Sequence, residues 1–401
     1  MDLFDKYDHI AERREALLEA GTDPFAVRMD RVVSPTEAVV GGKEVILVGT
    51  NNYLGLTFDE SCIEATVNAV RTHGTGTTGS RIANGTYASH RVLESEIAAF
   101  LDRRACIVFP TGYQANLGIL SGLAGPKDII LLDADSHASI YDGCRLSGAT
   151  LIRFRHNSAE DLDKRLERLR DKACNKLVVV EGIYSMLGDR APLDEFAAVK
   201  RAHEGVSLLV DEAHSLGVFG DGGQGLTHEL GVEADVDFIV GTFSKSLGSV
   251  GGFGASDHPG FEMLRYASRP YMYTASSSPS NVATVIASLK QIRGRPELRT
   301  QLWRNARMLY DGLTDLGFEI CAPMSPIIAV KLPDEETAVY MWNALLNAGV
   351  YVNLALPPGT PNGACLLRCS LSAMHTPAQI RRVCEAFARV RPGVDLHTAA
   401  A

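Results

Sequence analysis

From about residue 104 the chain alternates short apolar runs with helix-like stretches, and this alternation limits the possible folds more than any other feature. The runs are Ala105–Phe109, Asp128–Leu132, Thr150–Phe154, Lys176–Val180, Val206–Val210 and Phe238–Gly241. Helical patterns at Ala159–Arg170 and Leu193–Glu204 separate some of them. Apolar runs joined by helices predict an α/β fold, a mostly parallel sheet covered on both faces. In such sheets ligands sit beyond the carboxyl ends of the strands. After about residue 275 the texture changes. A long helical region over Ser280–Leu316 leads to shorter elements at Ile327–Lys331, Thr337–Ala348 and Leu366–Ser370, which predict a smaller C-terminal α+β domain. The expected organisation is an N-terminal arm (1–45), a large catalytic domain (46–280) and a small domain (281–401).

Composition narrows the function classes. With 401 residues, 46% hydrophobic and 22% charged, the chain is long enough for two or three cored domains and unlike a disordered or disulfide-dense protein. The net charge is -9, and the densest basic stretch, Arg153 to Arg170, is interleaved with Glu160, Asp161, Asp163 and Glu167. No nucleic acid is expected as a partner. Nothing approaches the roughly 20 apolar residues of a membrane span, and Met1–Lys6 lacks the basic and apolar regions of a signal peptide. The expected location is cytoplasmic. Leu3, Tyr7, Ile10, Leu17 and Leu18 lie among charges before Gly21, an amphipathic pattern that can dock on a partner subunit, on a membrane surface or on its own domain. The eight cysteines are dispersed without paired CxxC spacing, so reduced, mostly buried thiols are expected and no metal.

Two segments match G-x-G-x-x-G, at Gly74, Gly76, Gly79 and at Gly220, Gly222, Gly225. A dinucleotide site needs a strand just before and a helix just after. The first follows a helix-like stretch, Ile63–Thr72, and the second lacks a helix after it. Both are read as loops. Gly241–Ser246 lacks the glycine spacing of a P-loop, which removes ATP binding.

The informative residues collect at strand ends. Val206–Val210 runs straight into Asp211-Glu212-Ala213-His214, Phe238–Gly241 into Thr242-Phe243-Ser244-Lys245, and Asp128–Leu132 into Asp133-Ala134-Asp135-Ser136-His137. A carboxylate after a fully apolar strand is costly to bury unless a cation meets it. Singly, Asp211 reads equally well as a helix cap, His137 as a structural histidine and Lys245 as an exposed loop lysine. Together, an acid, a lysine and an imidazole are what pyridoxal phosphate (PLP) chemistry needs. The lysine attaches the cofactor, and the acid keeps the ring nitrogen protonated so that the ring withdraws electrons. Thr111-Gly112-Tyr113-Gln114, after Ala105–Phe109, suits a phosphate at a helix start.

At these residues the chain resembles the α-oxoamine synthases, fold-type I PLP enzymes that condense an amino acid with an acyl thioester. The likeness runs nearly end to end. It is carried by DADSHASIYDG (Asp133–Gly143), EGIYSMLGD (Glu181–Asp189), VDEAHS (Val210–Ser215) and GTFSKS (Gly241–Ser246). Asp23–Ala26, Ser34–Val39 and His375–Ile380 point to the serine-using members. The resemblance implies that Lys245 holds PLP and moves protons at Cα, that Asp211 meets the ring nitrogen, and that His214, with Ser185, meets the phenolic oxygen. It implies His137 on the ring face and Thr242, Ser244, Gly112 and Tyr113 at the phosphate, with Thr274 reaching in from a second subunit of a homodimer. Arg368 is implied for the amino-acid carboxylate, with Asn51 or Asn52 nearby. The implied reaction joins L-serine to a long-chain acyl thioester, carried by CoA or an acyl carrier protein. Sister activities use alanine or glycine, and a non-catalytic partner subunit would be expected to lack Lys245. One position departs from the family: Leu356 stands where the serine-using members carry an arginine.

Overall fold

The computed structural model describes residues 2–398, and each of the six apolar runs forms a strand. They lie in one seven-stranded sheet. Its order across the sheet is Ala105–Phe109, Gly252–Ser256, Phe238–Thr242, Val206–Asp211, Lys176–Glu181, Ile129–Asp133 and Thr150–Phe154. The last five of these pair in parallel, in register Val178 with Leu208 and Val210 with Ile239. Every residue of Ile129–Asp133, Lys176–Glu181 and Phe238–Thr242 is buried, as strands covered on both faces must be. The α/β expectation holds.

Gly252–Ser256 is the strand the apolar pattern missed, and it runs antiparallel to both neighbours. Its sequence, GFGAS, has too few apolar side chains to signal a strand. The glycine serves packing instead: a Cβ on Gly254 would sit 2.5 Å from Ile119 Cδ1, so the helix Gly112–Leu123 lies directly against it. The helical region after residue 280 is two helices, Pro279–Gly294 and Glu297–Asp315. Pro296 separates them, pushing Arg295 out of the helical region to φ -131°, ψ 66°. Both glycine-rich matches are loops. Gly74 caps the helix Glu60–His73, and Gly225 precedes a helix of only four residues.

The chain forms two units. One comprises Asn52–Ser185 and Asp189–Thr300 and contains the seven-stranded sheet. The other runs from the N-terminus to Asn51, takes in Met186–Gly188, and continues from Gln301. In the second unit Ile327–Leu332, Cys365–Ser370 and Asn353–Ala355 make an antiparallel sheet. Met29–Ser34, Glu37–Val40 and Lys43–Leu47 form an antiparallel run that Val350–Tyr351 extends in parallel. The expected N-terminal helix forms as Asp8–Ala20 and ends at Gly21, but it buries only Leu17 and leaves Ile10 and Leu18 exposed. Among the described residues no helix is long and apolar enough to cross a membrane. All eight cysteines are free, five of them buried.

Candidate active site

Parallel pairing brings the strand ends of the larger unit into line, with Glu181 directly opposite Asp211. Asp211 is buried, and its carboxylate is held from two sides. Oδ1 accepts from the Ala213 N–H at 2.8 Å and Oδ2 from Asn116 Nδ2 at 2.8 Å. Three residues on, His214 is buried with Nδ1 in a 2.7 Å hydrogen bond to the hydroxyl of the fully buried Tyr53. The neighbouring strand, Phe238–Thr242, ends in the loop carrying Lys245. Phe243 stacks on Phe253 with ring centroids 5.9 Å apart, and its N–H donates to the Gly251 carbonyl at 2.9 Å. Gly251 has φ +144°, a conformation that favours glycine, and a Cβ there would collide with Phe243. The loop is therefore anchored on both sides of the lysine.

An anion cradle faces this loop. Thr111 caps the helix Gly112–Leu123, its hydroxyl accepting from the Gln114 N–H at 3.1 Å. The first helical amides lack carbonyl partners within the helix and carry the positive end of its dipole. Thr242 Oγ1 and Ser244 Oγ lie 2.9 Å apart, and a Cβ on Gly112 would come within 2.7 Å of Thr242 Oγ1. Only a glycine lets the helix start approach those hydroxyls so closely. Thr274 Oγ1 accepts from Gln114 Nε2 at 3.2 Å.

His137 caps the next helix, Ala138–Ser147. Its backbone N–H donates to Glu181 Oε1 at 2.6 Å, and its Nδ1 meets the Ser139 hydroxyl at 2.7 Å. The residue is open to the cavity, yet the protein crowding the ring, helped by the Lys245 charge and opposed by Asp211, holds the imidazole below its ordinary pKa. Burial, reinforced by the Asp211 carboxylate, pushes Glu181 well above the carboxylate range. Tyr113 meets His137 edge-on at 6.4 Å and donates its hydroxyl to Asp142.

Behind the cavity, His156 Nδ1 lies 2.8 Å from Asp133 and Nε2 2.7 Å from Asp189. Burial opposes a charge there, but hydrogen bonds to both carboxylates win and push its pKa up to about 10. The resulting imidazolium ties the segment leading into His137 to the turn leading out of Ser185, whose Tyr184 N–H donates to the Asp189 carbonyl.

A cavity of about 350 Å³ opens at these strand ends. Lys245, Asp211, His137, His214, Gly112, Tyr113, Thr242 and Ser244 line it; Ser185, Asn52 and Thr274 are outside its lining. The sequence reading missed Tyr53, Asn116, Ser139 and Glu181. Ser139 and Glu181 lie in the quoted motif stretches, but an asparagine inside a helix gives no signal by itself. The lining fits PLP on the chemistry of its donors. It offers a cradle of amides and hydroxyls with no room for a Cβ, a buried carboxylate held by two donors, and a lysine on an anchored loop.

Arg368 and Asn51 belong to the other unit. Arg368 is buried on Cys365–Ser370, donating to Ser370 Oγ at 2.8 Å and Asn51 Oδ1 at 3.2 Å. Asn52 Nδ2 instead donates to Thr57 Oγ1 at 2.7 Å in the larger unit. Leu356 is buried.

A fold of this class with a lysine and an acid at adjacent strand ends defines a PLP-type transferase, and the comparisons agree. The family Aminotransferase class I and II matches residues 43–387, and the chain belongs to it. The chain is 58% identical to a serine palmitoyltransferase of Caulobacter vibrioides over 390 residues, covering 97% of this chain and 96% of that one. It is 54% identical to the Sphingomonas paucimobilis serine palmitoyltransferase, covering 96% and 92%. A solved serine palmitoyltransferase with its PLP internal aldimine matches with a TM-score of 0.96 and 53% identity over 98% of this chain and all of that one. The α-oxoamine synthase resemblance is borne out.

Proposed function

We propose that this chain is a PLP-dependent C-acyltransferase that condenses L-serine with palmitoyl-CoA or a similar long-chain acyl thioester, giving 3-ketosphinganine, the free thiol and CO2. The observation that carries this reading is a single cavity lined by Lys245, Asp211, His137 and the Gly112 helix start, in a chain 58% identical to a serine palmitoyltransferase. When bound, PLP supplies an electron sink for the pair of electrons left on serine Cα.

The chain's own groups do the rest. Lys245 Nζ would hold the cofactor, and its amine would take the Cα proton and later return it. Asp211, held in place by Asn116 and the Ala213 N–H, would keep a proton on the ring nitrogen. His214, buttressed by Tyr53, and Ser185 are assigned to the phenolic oxygen. Thr242, Ser244 and the amides of Gly112 and Tyr113 bind the phosphate, with Thr274 of a second subunit. His137 covers the ring face. Arg368, assisted by Asn51 or Asn52, holds the serine carboxylate with a charge-assisted pair. Serine Cα would form a bond to the thioester carbonyl carbon as the C–S bond breaks, the sulfur leaving as a thiolate that takes a proton from solvent, and the Cα–carboxylate bond would then break to release CO2. The proton from Lys245 then completes the product. The working unit is a cytoplasmic homodimer, and exposed Leu3, Phe4 and Ile10 provide peripheral contact with the inner face of the membrane.

The test is a visible-absorbance titration of the PLP-loaded protein with L-serine, glycine and L-alanine. Saturation by serine at much the lowest concentration is expected. Tighter response to glycine or alanine would move the chain to a sister activity and make Leu356 the first position to exchange.

A further inference from the structure

The hydrogen bonds around His137 leave only one place for its proton. Ser139 presents two groups to His137 Nδ1. Its backbone N–H reaches that nitrogen at 3.2 Å, and its hydroxyl lies 2.7 Å away. An N–H pointing at Nδ1 requires a lone pair there, so Nδ1 carries no hydrogen and the ring proton is on Nε2. The next link is determined as well. Asn116 Nδ2 is 3.0 Å from Ser139 Oγ and 2.8 Å from Asp211 Oδ2. Both contacts are made by the amide nitrogen, so one Asn116 hydrogen goes to Asp211 Oδ2 and the other to Ser139 Oγ. Having accepted from Asn116, the serine hydroxyl is free to give its own proton to His137 Nδ1. All members of the chain lie in the larger unit, and Asn116 and Ser139 are both buried.

We propose that Asn116 and Ser139 are positioning residues that relay the Asp211 carboxylate to His137 and lock the imidazole as its Nε2–H tautomer, a hydrogen-bond donor into the cavity. Glu181 completes the lock from the other side by accepting the His137 backbone N–H at 2.6 Å. The charged groups facing the ring act in opposite senses, Asp211 favouring a second proton and Lys245 opposing it; burial adds to the opposition and prevails. A locked donor is suited to an acceptor oxygen, such as a substrate carboxylate or the thioester carbonyl, and unsuited to taking a proton. That last assignment rests on the proposed reaction; the tautomer does not.

The experiment therefore separates the two. Nitrogen-15 NMR of histidine-labelled apoprotein, with the His137 signals assigned by comparison with His137→Asn, reports which ring nitrogen bears hydrogen. In wild type at neutral pH an unprotonated Nδ1 and a protonated Nε2 are expected. In Ser139→Ala the backbone N–H still faces Nδ1, so the Nε2–H tautomer should remain, while the ring, without the hydroxyl's hydrogen bond, should titrate nearer an ordinary histidine; Ser139→Thr should restore the wild-type titration. In the PLP-loaded enzyme, Ser139→Ala should lower kcat/KM for the amino acid by about tenfold, the size of one hydrogen bond near 1.4 kcal/mol, and Ser139→Thr should recover it. A wild-type ring protonated on Nδ1, or on both nitrogens, would overturn the proposal even if no variant folded. So would a Ser139→Ala protein whose His137 titration is unchanged. An expected NMR result with glycine preferred over serine would keep the relay and reject the serine reading.

Discussion

The two units bury ionisable groups in different ways. In the larger unit Asp133, Glu181 and Asp211, at the ends of three adjacent parallel strands, are 0%, 3% and 4% exposed. Parallel strands end at the same edge, so their terminal side chains crowd together, and each charge must be met from another element: His156 for Asp133, Asn116 for Asp211. In the smaller unit Arg368 and His375 are buried as well, each with one partner near in sequence and another from the N-terminal segment, Asn51 for Arg368 and Leu47 for His375. Arg368 bonds Ser370 two residues on; His375 Nδ1 accepts from the Ser372 N–H at 2.9 Å, and Nε2 donates to the Leu47 carbonyl at 3.0 Å. A single buried group met by hydroxyl, amide and backbone partners reads as architecture or as a binding point. A cluster of buried acids brought to one edge by parallel strands keeps unlike groups in tension there, and such a cluster is the candidate for proton chemistry.

If this contrast is right, substitutions in the two units should damage different kinetic constants. The largest effect is expected from Lys245→Ala, which removes the group proposed to move the Cα proton and should cost about 10²–10⁴-fold or more in turnover, followed by thiol release from the acyl donor. Activity close to wild type would end both the contrast and the proposed function. Asp211→Asn keeps the shape but loses the charge, and should lower kcat by about 10–100-fold, the value of a charged hydrogen bond of about 1.5–3 kcal/mol. Arg368→Ala, in the smaller unit, should act mainly on binding, raising KM for L-serine by about tenfold or more while kcat changes less. A loss confined to kcat would show that Arg368 does more than hold the substrate.

The parts of this arrangement that were legible in the sequence were those with a periodic or contiguous signal. The five parallel strands and Ala105–Phe109 announced themselves as apolar runs, and their ends located Asp211, Lys245 and His137. Gly252–Ser256 was silent because its role is to be small, and the break at Pro296 was lost in an otherwise continuous helical pattern. Asn116 was invisible for a different reason. It sits 95 residues from Asp211 and acts only because the helix after one strand passes the end of another. His156 looked like any loop histidine. Its charge depends on Asp133 and Asp189, 23 and 33 residues away, and burial alone would have predicted the opposite shift.

The smallest effects concern stability away from neutral pH, and there the two units should respond with opposite signs. His375 is pushed down from 6.5 to about 4, chiefly by burial, so between those values the unfolded chain binds the proton and the folded one does not. Its contribution is complete above about 6.5 and is lost as pH falls toward 4. His156 is raised to about 10, so the folded state holds the extra proton between 6.5 and 10. Its contribution is complete below about 6.5 and is lost as pH rises through 10. Each slope is at most about 1.4 kcal/mol per pH unit, the value of one proton. Urea unfolding of the apoprotein across pH 4 to 10 measures both. His375→Gln should flatten the acid limb and leave the alkaline limb intact, while His156→Gln should do the reverse. If His156→Gln left the alkaline limb unchanged, the bridge between Asp133 and Asp189 would be an uncharged hydrogen-bond link.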